Sequence, residues 1–290
     1  MSIKNTSPFA PRFIFHGNAV AADVFLTKVN GVTQTIYHPI DGQSCLPVIG
    51  GRSHNKVTGP VFEKPLSEVF HYAASRTSAE GIFEGDNAMT TVHASVDDVR
   101  ITNREKDGAP DVVFTAGEIA LTIRSVHAPS GQPRFEFIET PKFQNLSFNG
   151  LPIELELNEE LMGLKRWDDL DEKYASDRAF LDGCSFGPLP PRESSRGESR
   201  IPRAAGSFAL CSLVKNIILG GRVIRGHVLE HAGFGAIYFG EMLLNDRERR
   251  VTMVRTQLGC HSAGQSVHGE TDPNGSTWPP PPPPPQSKKS

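Results

Sequence analysis

The stretch Thr91-Val-His-Ala-Ser-Val-Asp-Asp-Val-Arg-Ile101 places an apolar side chain at every second position from Val92 to Val96, and again at Val99 and Ile101. Successive side chains of a β-strand point to opposite faces, so this alternation indicates a strand with one buried and one wet face. The polar partners fit antiparallel strands better than the uniformly apolar strands of a parallel sheet.

The same period of two recurs over most of residues 91–157 and 208–258. Ile119, Leu121 and Ile123 alternate with polar or small neighbours, and Glu154 and Glu156 flank Leu155. The chain is therefore predicted to be mainly β, as an antiparallel sandwich or a partly open barrel.

Four regions follow from the pattern. Residues 12–186 are predicted to form a β-rich region with one helix at 158–182, which Asn158 caps and whose apolar face includes Leu161 and Trp167. Residues 187–206 have little apolar content and predict a flexible loop or linker. Residues 207–261 predict a block of hairpins that completes the same domain, and 262–290 predict a disordered tail with a polyproline segment.

Charge and hydropathy exclude two classes of partner. The chain has 30 basic and 33 acidic residues, a net charge of −3, so nucleic acid is not an expected partner. No apolar run is long enough to span a membrane, and Met1–Pro11 has no apolar segment typical of a secretory signal. We expect a cytoplasmic protein without a membrane partner.

One motif suggests metal chemistry. His227-Val-Leu-Glu-His231, followed by Ala-Gly-Phe-Gly, resembles the zinc site of the inverzincin metalloproteases. The resemblance implies that His227 and His231 bind zinc and that Glu230 activates the bound water, but it covers only this short segment. In that family the motif lies on a helix, whereas here Gly226 and Gly233 bound it within a β-rich run. A strand would separate the histidines by about 13 Å and turn Glu230 away, so we expect no metal and no other cofactor.

Glu241 and Arg255 form the second candidate site. Strict alternation would place Glu241 on the apolar face of strand 236–244, diagonal to Arg255 on strand 250–258. A carboxylate on an apolar face needs a cation nearby, so we expect the two residues to pair and to be largely buried. Such a pair either fixes the strand register or contributes a carboxyl of shifted pKa to a pocket.

The predicted linker and tail carry the remaining binding candidates. Arg192 and Arg196 would suit an acidic partner, and Trp278 precedes seven prolines, residues 279–285, that favour a polyproline II segment and a polyproline-reading domain as partner. We expect a non-enzymatic binding or assembly protein with a protein partner or a homo-oligomeric state. The alternative is a hydrolase or isomerase with a β-walled pocket near Glu241 and Arg255, or a zinc-dependent one that uses His227, Glu230 and His231.

Overall fold

The computed structural model describes residues 12–177, 185–187 and 208–278. Its first ten strands are β1 (Arg12–Val29), β2 (Val32–Cys45), β3 (Gly51–Thr58), β4 (Phe70–His71), β5 (Ala74–Glu84), β6 (Asn87–Asn103), β7 (Val112–His127), β8 (Arg134–Phe137), β9 (Lys142–Gln144) and β10 (Ser147–Phe148). The remaining strands are β11 (Leu151–Leu157), β12 (Ser185–Gly187), β13 (Phe208–Ser212), β14 (Val214–Leu219), β15 (Arg222–Arg225), β16 (Val228–His231), β17 (Gly235–Leu244), β18 (Arg249–Gly259) and β19 (Ala263–Trp278). The helices are α1 (Leu66–Val69), α2 (Glu159–Gly163) and α3 (Trp167–Ser176). None of these helices has the length and apolar character needed to cross a membrane.

The strands form two antiparallel sheets. The front sheet has the order β12-β13-β17-β18-β19-β1-β2, with β16 paired to β17. The back sheet has the order β15-β14-β11-β10-β7-β6-β5-β3, and β4, β8 and β9 join it at its side. One continuous apolar core lies between the sheets. The prediction of a mainly antiparallel β fold is confirmed, and the described strands do not close into a barrel.

Local sequence explains the hairpin of β1 and β2. Asn30 and Gly31 join β1 to β2 and have φ angles of 47° and 81°, as a two-residue hairpin turn requires. The turn is held against the rest of the protein because the Gly31 N–H donates to the carbonyl oxygen of His261 at 2.8 Å.

The front sheet bends along a line that we call the crease. Five residues lie opposite one another on neighbouring strands along this line: Gly42, Ala21, Gly269, Met253 and Gly240. The three glycines have φ angles of 68°, 67° and 62°, which side chains with a Cβ rarely adopt. The back sheet bends next to the crease. The bend lies where Asp98 of β6 and Asn145, directly after β9, flank Gly117 of β7.

The crease shifts the alternation of side chains. Met253 and Val254 are consecutive in the chain and are both fully buried. Outward-facing residues therefore lie three positions apart across the crease, as Tyr238 and Glu241 do, instead of two. This shift decides which polar side chains meet on the outer face of the front sheet.

The predicted helix at 158–182 is divided into α2 and α3. Asn158 caps α2 as predicted, since its side-chain oxygen accepts the Leu161 N–H at 3.1 Å. The carboxylate of Asp169 then accepts the N–H groups of Lys165 and Arg166 at 3.0 and 2.9 Å, which starts a second helix at Trp167. Residues 178–182 lie outside the described ranges.

The predicted disorder of residues 262–290 is wrong for most of that range. Residues 263–278 form β19, which pairs with β1 on one side and β18 on the other, in the middle of the front sheet. The side chains that β19 turns towards the core include Ser266, His268 and Thr271, which are polar but buried. A reading that looks for apolar alternation misses such a strand. Residues 279–290 and most of the predicted linker, 188–206, lie outside the described ranges.

Candidate functional site

The outer face of the front sheet carries a row of side chains on four adjacent strands. Gln257 of β18 lies opposite Gln265 of β19, Gln265 lies opposite Phe25 of β1, and Phe25 lies opposite Tyr37 of β2. Both aromatic rings are accessible, with exposed fractions of 38% for Phe25 and 56% for Tyr37. Two amides and two aromatic rings therefore face solvent side by side.

A second row lies next to the first, towards the crease. Tyr238 of β17 lies opposite Arg255 of β18, which lies opposite Val267, and Val267 lies opposite Asp23 of β1. The Tyr238 hydroxyl donates to the side-chain oxygen of Gln257 at 3.3 Å, which joins the two rows. We call the two rows, together with Glu241, the platform.

Arg255 is fixed on the platform by two neighbours. Its Nε and Nη2 groups donate to the two carboxylate oxygens of Glu241 at 2.6 and 2.8 Å. Its guanidinium carbon also lies 3.7 Å from the centre of the Tyr238 ring. A two-point ion pair stacked on an aromatic ring is a rigid arrangement.

The structure pairs Glu241 with Arg255, as the sequence predicts, but on the other face. Ile237 and Phe239 point into the core, and the crease at Gly240 then turns Glu241 outwards and Met242 inwards. The expectation that Glu241 shares the apolar face of its strand is therefore wrong. The side chains keep exposed fractions of 14% for Glu241 and 25% for Arg255, so most of each is covered but neither is fully buried.

The ionisable groups on and beside the platform are either paired with an opposite charge or shifted towards their uncharged forms. The hydrogen bond to Glu241 raises the pKa of Arg255, so the guanidinium keeps its charge and its counter-ion. Burial raises the pKa of Asp23 and lowers the pKa of His227, whose ring lies beside Tyr238. Both of these groups are therefore shifted towards their uncharged forms.

Further carboxyl groups lie across the crease. Burial raises the pKa of Glu270, and the charge of Asp23 adds to that effect. Burial, together with the charge of Glu248, raises the pKa of Asp272 to about 6. Arg250 Nη2 lies 3.7 Å from the Asp272 carboxylate.

The histidine motif does not assemble a metal site. Val228–His231 is the short strand β16, with His227 just before it. His231 packs against Phe148 of the back sheet with ring centres 5.3 Å apart, whereas His227 lies beside Tyr238 of the front sheet. Glu230 is exposed. Over residues 12–177, 185–187 and 208–278, no group of three His, Cys, Asp or Glu side chains could hold a metal ion.

Of the binding candidates in the predicted linker and tail, only Trp278 falls within the described residues. Trp278 ends β19 opposite Arg12. Arg192, Arg196 and the prolines 279–285 lie outside the described residues.

Sequence reasoning missed most of the platform. Gln265 fell within the predicted tail, and Phe25 and Tyr37 carry no motif. A signal did exist on β1, where Asp23 and Phe25 alternate with buried Val24 and Leu26, which places an aromatic ring on the polar face.

Comparison with known proteins gives one match. A family model described as Domain of unknown function (DUF8256) matches residues 13–245. No curated protein and no solved structure matches the chain. The matched range covers β1 to β17 and so includes Phe25, Tyr37, Tyr238 and Glu241.

Proposed function

The chain belongs to the family described as Domain of unknown function (DUF8256), and we propose that it is a non-enzymatic binding protein whose platform holds a neutral carbohydrate chain. The observation that carries the proposal is the row Gln257, Gln265, Phe25 and Tyr37, in which exposed aromatic rings and amides lie side by side on one sheet face.

Sugar chemistry matches this row in two ways. A sugar ring has an apolar C–H face that packs on an aromatic ring, and its hydroxyl groups need both donors and acceptors. Phe25 and Tyr37 offer the rings, and the amides of Gln257 and Gln265 each donate and accept. Four strands at about 4.8 Å spacing place the outermost side chains about 14 Å apart, which is long enough for a short oligosaccharide.

The charges support a neutral ligand. Arg255, the cation of the platform, already has both of its Glu241 hydrogen bonds, and burial favours the uncharged form of Asp23. An anionic ligand would have to compete with Glu241 for the guanidinium group. A polyhydroxylated neutral chain meets no such competition.

Affinity electrophoresis in native gels tests the proposal. The gels contain dextran, laminarin, xyloglucan or galactomannan, and migration is compared with a gel that has no polysaccharide. At least one of the four should retard the protein. Tyr37→Ala and Gln265→Ala should each weaken that binding about tenfold, the loss of about 1.4 kcal/mol from a central contact. Val223→Ala, at a similarly exposed position on β15 of the back sheet, should bind as the wild type does. No retardation in any gel, or equal retardation of all variants, contradicts the proposal.

One observation favours a hydrolase on the same face as the second candidate. Burial raises the pKa of both Glu270 and Asp23, and Glu270 senses the charge of Asp23. Glycoside hydrolysis uses a pair of carboxyl groups, one as the acid and one as the base or nucleophile. Reducing-end release from the same four polysaccharides decides between the two. The binding proposal predicts none, and release that disappears in Glu270→Gln would establish the enzyme instead.

A further inference from the structure

A second surface, at one end of the sandwich, exposes large apolar side chains. We call it the end patch, and it consists of Phe13, Val48, Ile49 and Phe83. Ile49 and Phe83 are the clearest members, with exposed fractions of 86% and 59%. Clustered side chains of this size at a surface mark an interaction site more often than scattered single ones do.

Backbone and ring contacts join the three segments that carry the end patch. The Phe15 N–H donates to the carbonyl oxygen of Val48 at 3.0 Å, which holds the turn after β2 against the start of β1. The Phe83 ring lies 5.1 Å from the Phe15 ring and 6.4 Å from the Phe13 ring. Phe13 covers the backbone of Gly275 so closely that an added Cβ there would fall 2.1 Å from the ring.

The chain leaves the front sheet beside this patch. Thr277 pairs with Phe13, Trp278 pairs with Arg12, and the seven prolines 279–285 follow directly. Consecutive prolines favour a polyproline II helix of about 3.1 Å per residue, so this segment would extend about 22 Å. Aromatic surfaces are the usual docking sites of such helices. Lys288 and Lys289 come after the prolines, and exposed Glu84 and Asp86 border the patch.

A proline helix that starts directly after Trp278 is poorly placed to cover its own patch. The residue before a proline is restricted to extended conformations, so the chain is expected to continue away from β19 and not to turn back over Phe13. A second copy has no such restriction. Two copies related by a two-fold axis would each place their prolines on the other's patch, which is a closed arrangement.

We propose that the protein forms a dimer in which prolines 279–285 of each copy bind the end patch of the other. The proline rings pack on Phe13 and Phe83, and Lys288 and Lys289 lie near Glu84 and Asp86 of the other copy. The proposal uses a surface separate from the platform, so it does not depend on the carbohydrate.

Sedimentation velocity on three full-length variants tests the dimer. The patch variant carries Ile49→Ser and Phe83→Ser. The tail variant carries Pro280→Ser, Pro282→Ser and Pro284→Ser. The control carries Val61→Ser, an equally exposed apolar residue near the opposite end of β5. Wild type and control should be dimers at micromolar concentration, and each of the other variants should raise the dissociation constant about tenfold or more.

Mixing the two weakened variants gives the decisive result. The patch variant still has intact prolines and the tail variant still has an intact patch, so one half of the exchange can form between them. Native mass spectrometry with one partner isotope-labelled should show a mixed dimer that exceeds either self-dimer. A monomeric wild type, a tail variant that dimerises normally, or an absence of mixed dimers would each overturn the proposal. The retardation of the patch variant in polysaccharide-containing gels is measured separately, and it reports only on the platform.

Discussion

Asn103 provides a quantitative test of how β19, the strand that the sequence analysis did not predict, is held in place. Its side chain is 3% exposed, at the end of β6 in the back sheet. Its Nδ2 group donates to the carbonyl oxygens of Phe234 and Ser262 at 2.9 and 3.0 Å. Its Oδ1 atom accepts the Ser262 N–H at 2.9 Å. One amide thus joins the back sheet to the segments that lead into β17 and β19.

Asn103→Ala removes all of these contacts at once. Three hydrogen bonds at roughly 1 kcal/mol each, plus roughly 1 kcal/mol for the stranded Ser262 N–H, give a loss of about 4 kcal/mol. Urea unfolding followed by circular dichroism measures it. Asn216→Ala, which removes a surface hydrogen bond to Glu156, should cost less than about 1 kcal/mol.

Hydrogen exchange supplies the local readout for the same variant. The Ser262 amide and those of β19 should lose protection in Asn103→Ala before the amides of β6 do, because the contact that holds the segment is gone. A loss below about 1 kcal/mol with unchanged protection of Ser262 would refute the assignment of this role to Asn103.

Three further predictions concern the platform, the core and the crease. Arg255→Met and Glu241→Gln should each cost about 1–2 kcal/mol in urea unfolding, and the double variant should cost less than their sum; simple additivity would show that the pair has no energetic coupling. Burial lowers the pKa of His268 to about 3, so the fold keeps it neutral while the unfolded chain binds a proton below about pH 6.5. The stability that depends on neutral His268 is fully present above that pH and is lost as the pH falls towards 3. His268→Gln should therefore reduce the pH dependence of the free energy of unfolding measured at pH 7, 5.5 and 4. Gly269→Ala should destabilise more than Gly85→Ala, because both glycines have positive φ but only Gly269 has neighbours within 3.4 Å of an added Cβ; equal changes in Tm would show that the crease tolerates a side chain.

Alternation of apolar residues was sufficient to predict the fold class. The hairpin of β17 and β18 was also predictable, because its turn, Asn245 to Glu248, separates two alternating runs. The cap at Asn158 followed from its chemistry. Each of these features depends on residues close together in the sequence.

The crease could not be predicted from strict alternation. It requires knowing that Gly240, Met253 and Gly269 come to lie opposite one another, and that is a property of strand order. The neighbouring bend of the back sheet does leave a trace in the sequence of β6, where Asp97 and Asp98 interrupt the alternation.

The prediction for the residues of β19 was wrong for a different reason. Its buried side chains bind polar neighbours: the Ser266 hydroxyl lies 2.7 Å from the hydroxyl of Thr256 on β18 and 2.9 Å from the ring of His268 on β19 itself. Such a strand is stabilised by its partners on both sides and by paired hydroxyls, and its own hydropathy does not reveal it. Gln265 of the platform was overlooked together with it.

The central claim, that the platform binds a neutral carbohydrate, is tested most directly by nuclear magnetic resonance of the isotope-labelled protein. Hexasaccharides prepared from dextran, laminarin, xyloglucan and galactomannan are titrated in turn. The account predicts that at least one shifts the side-chain amides of Gln257 and Gln265 and the backbone amides around Phe25 and Tyr37. Shifts confined to other surfaces, or no shifts with any of the four, would contradict it.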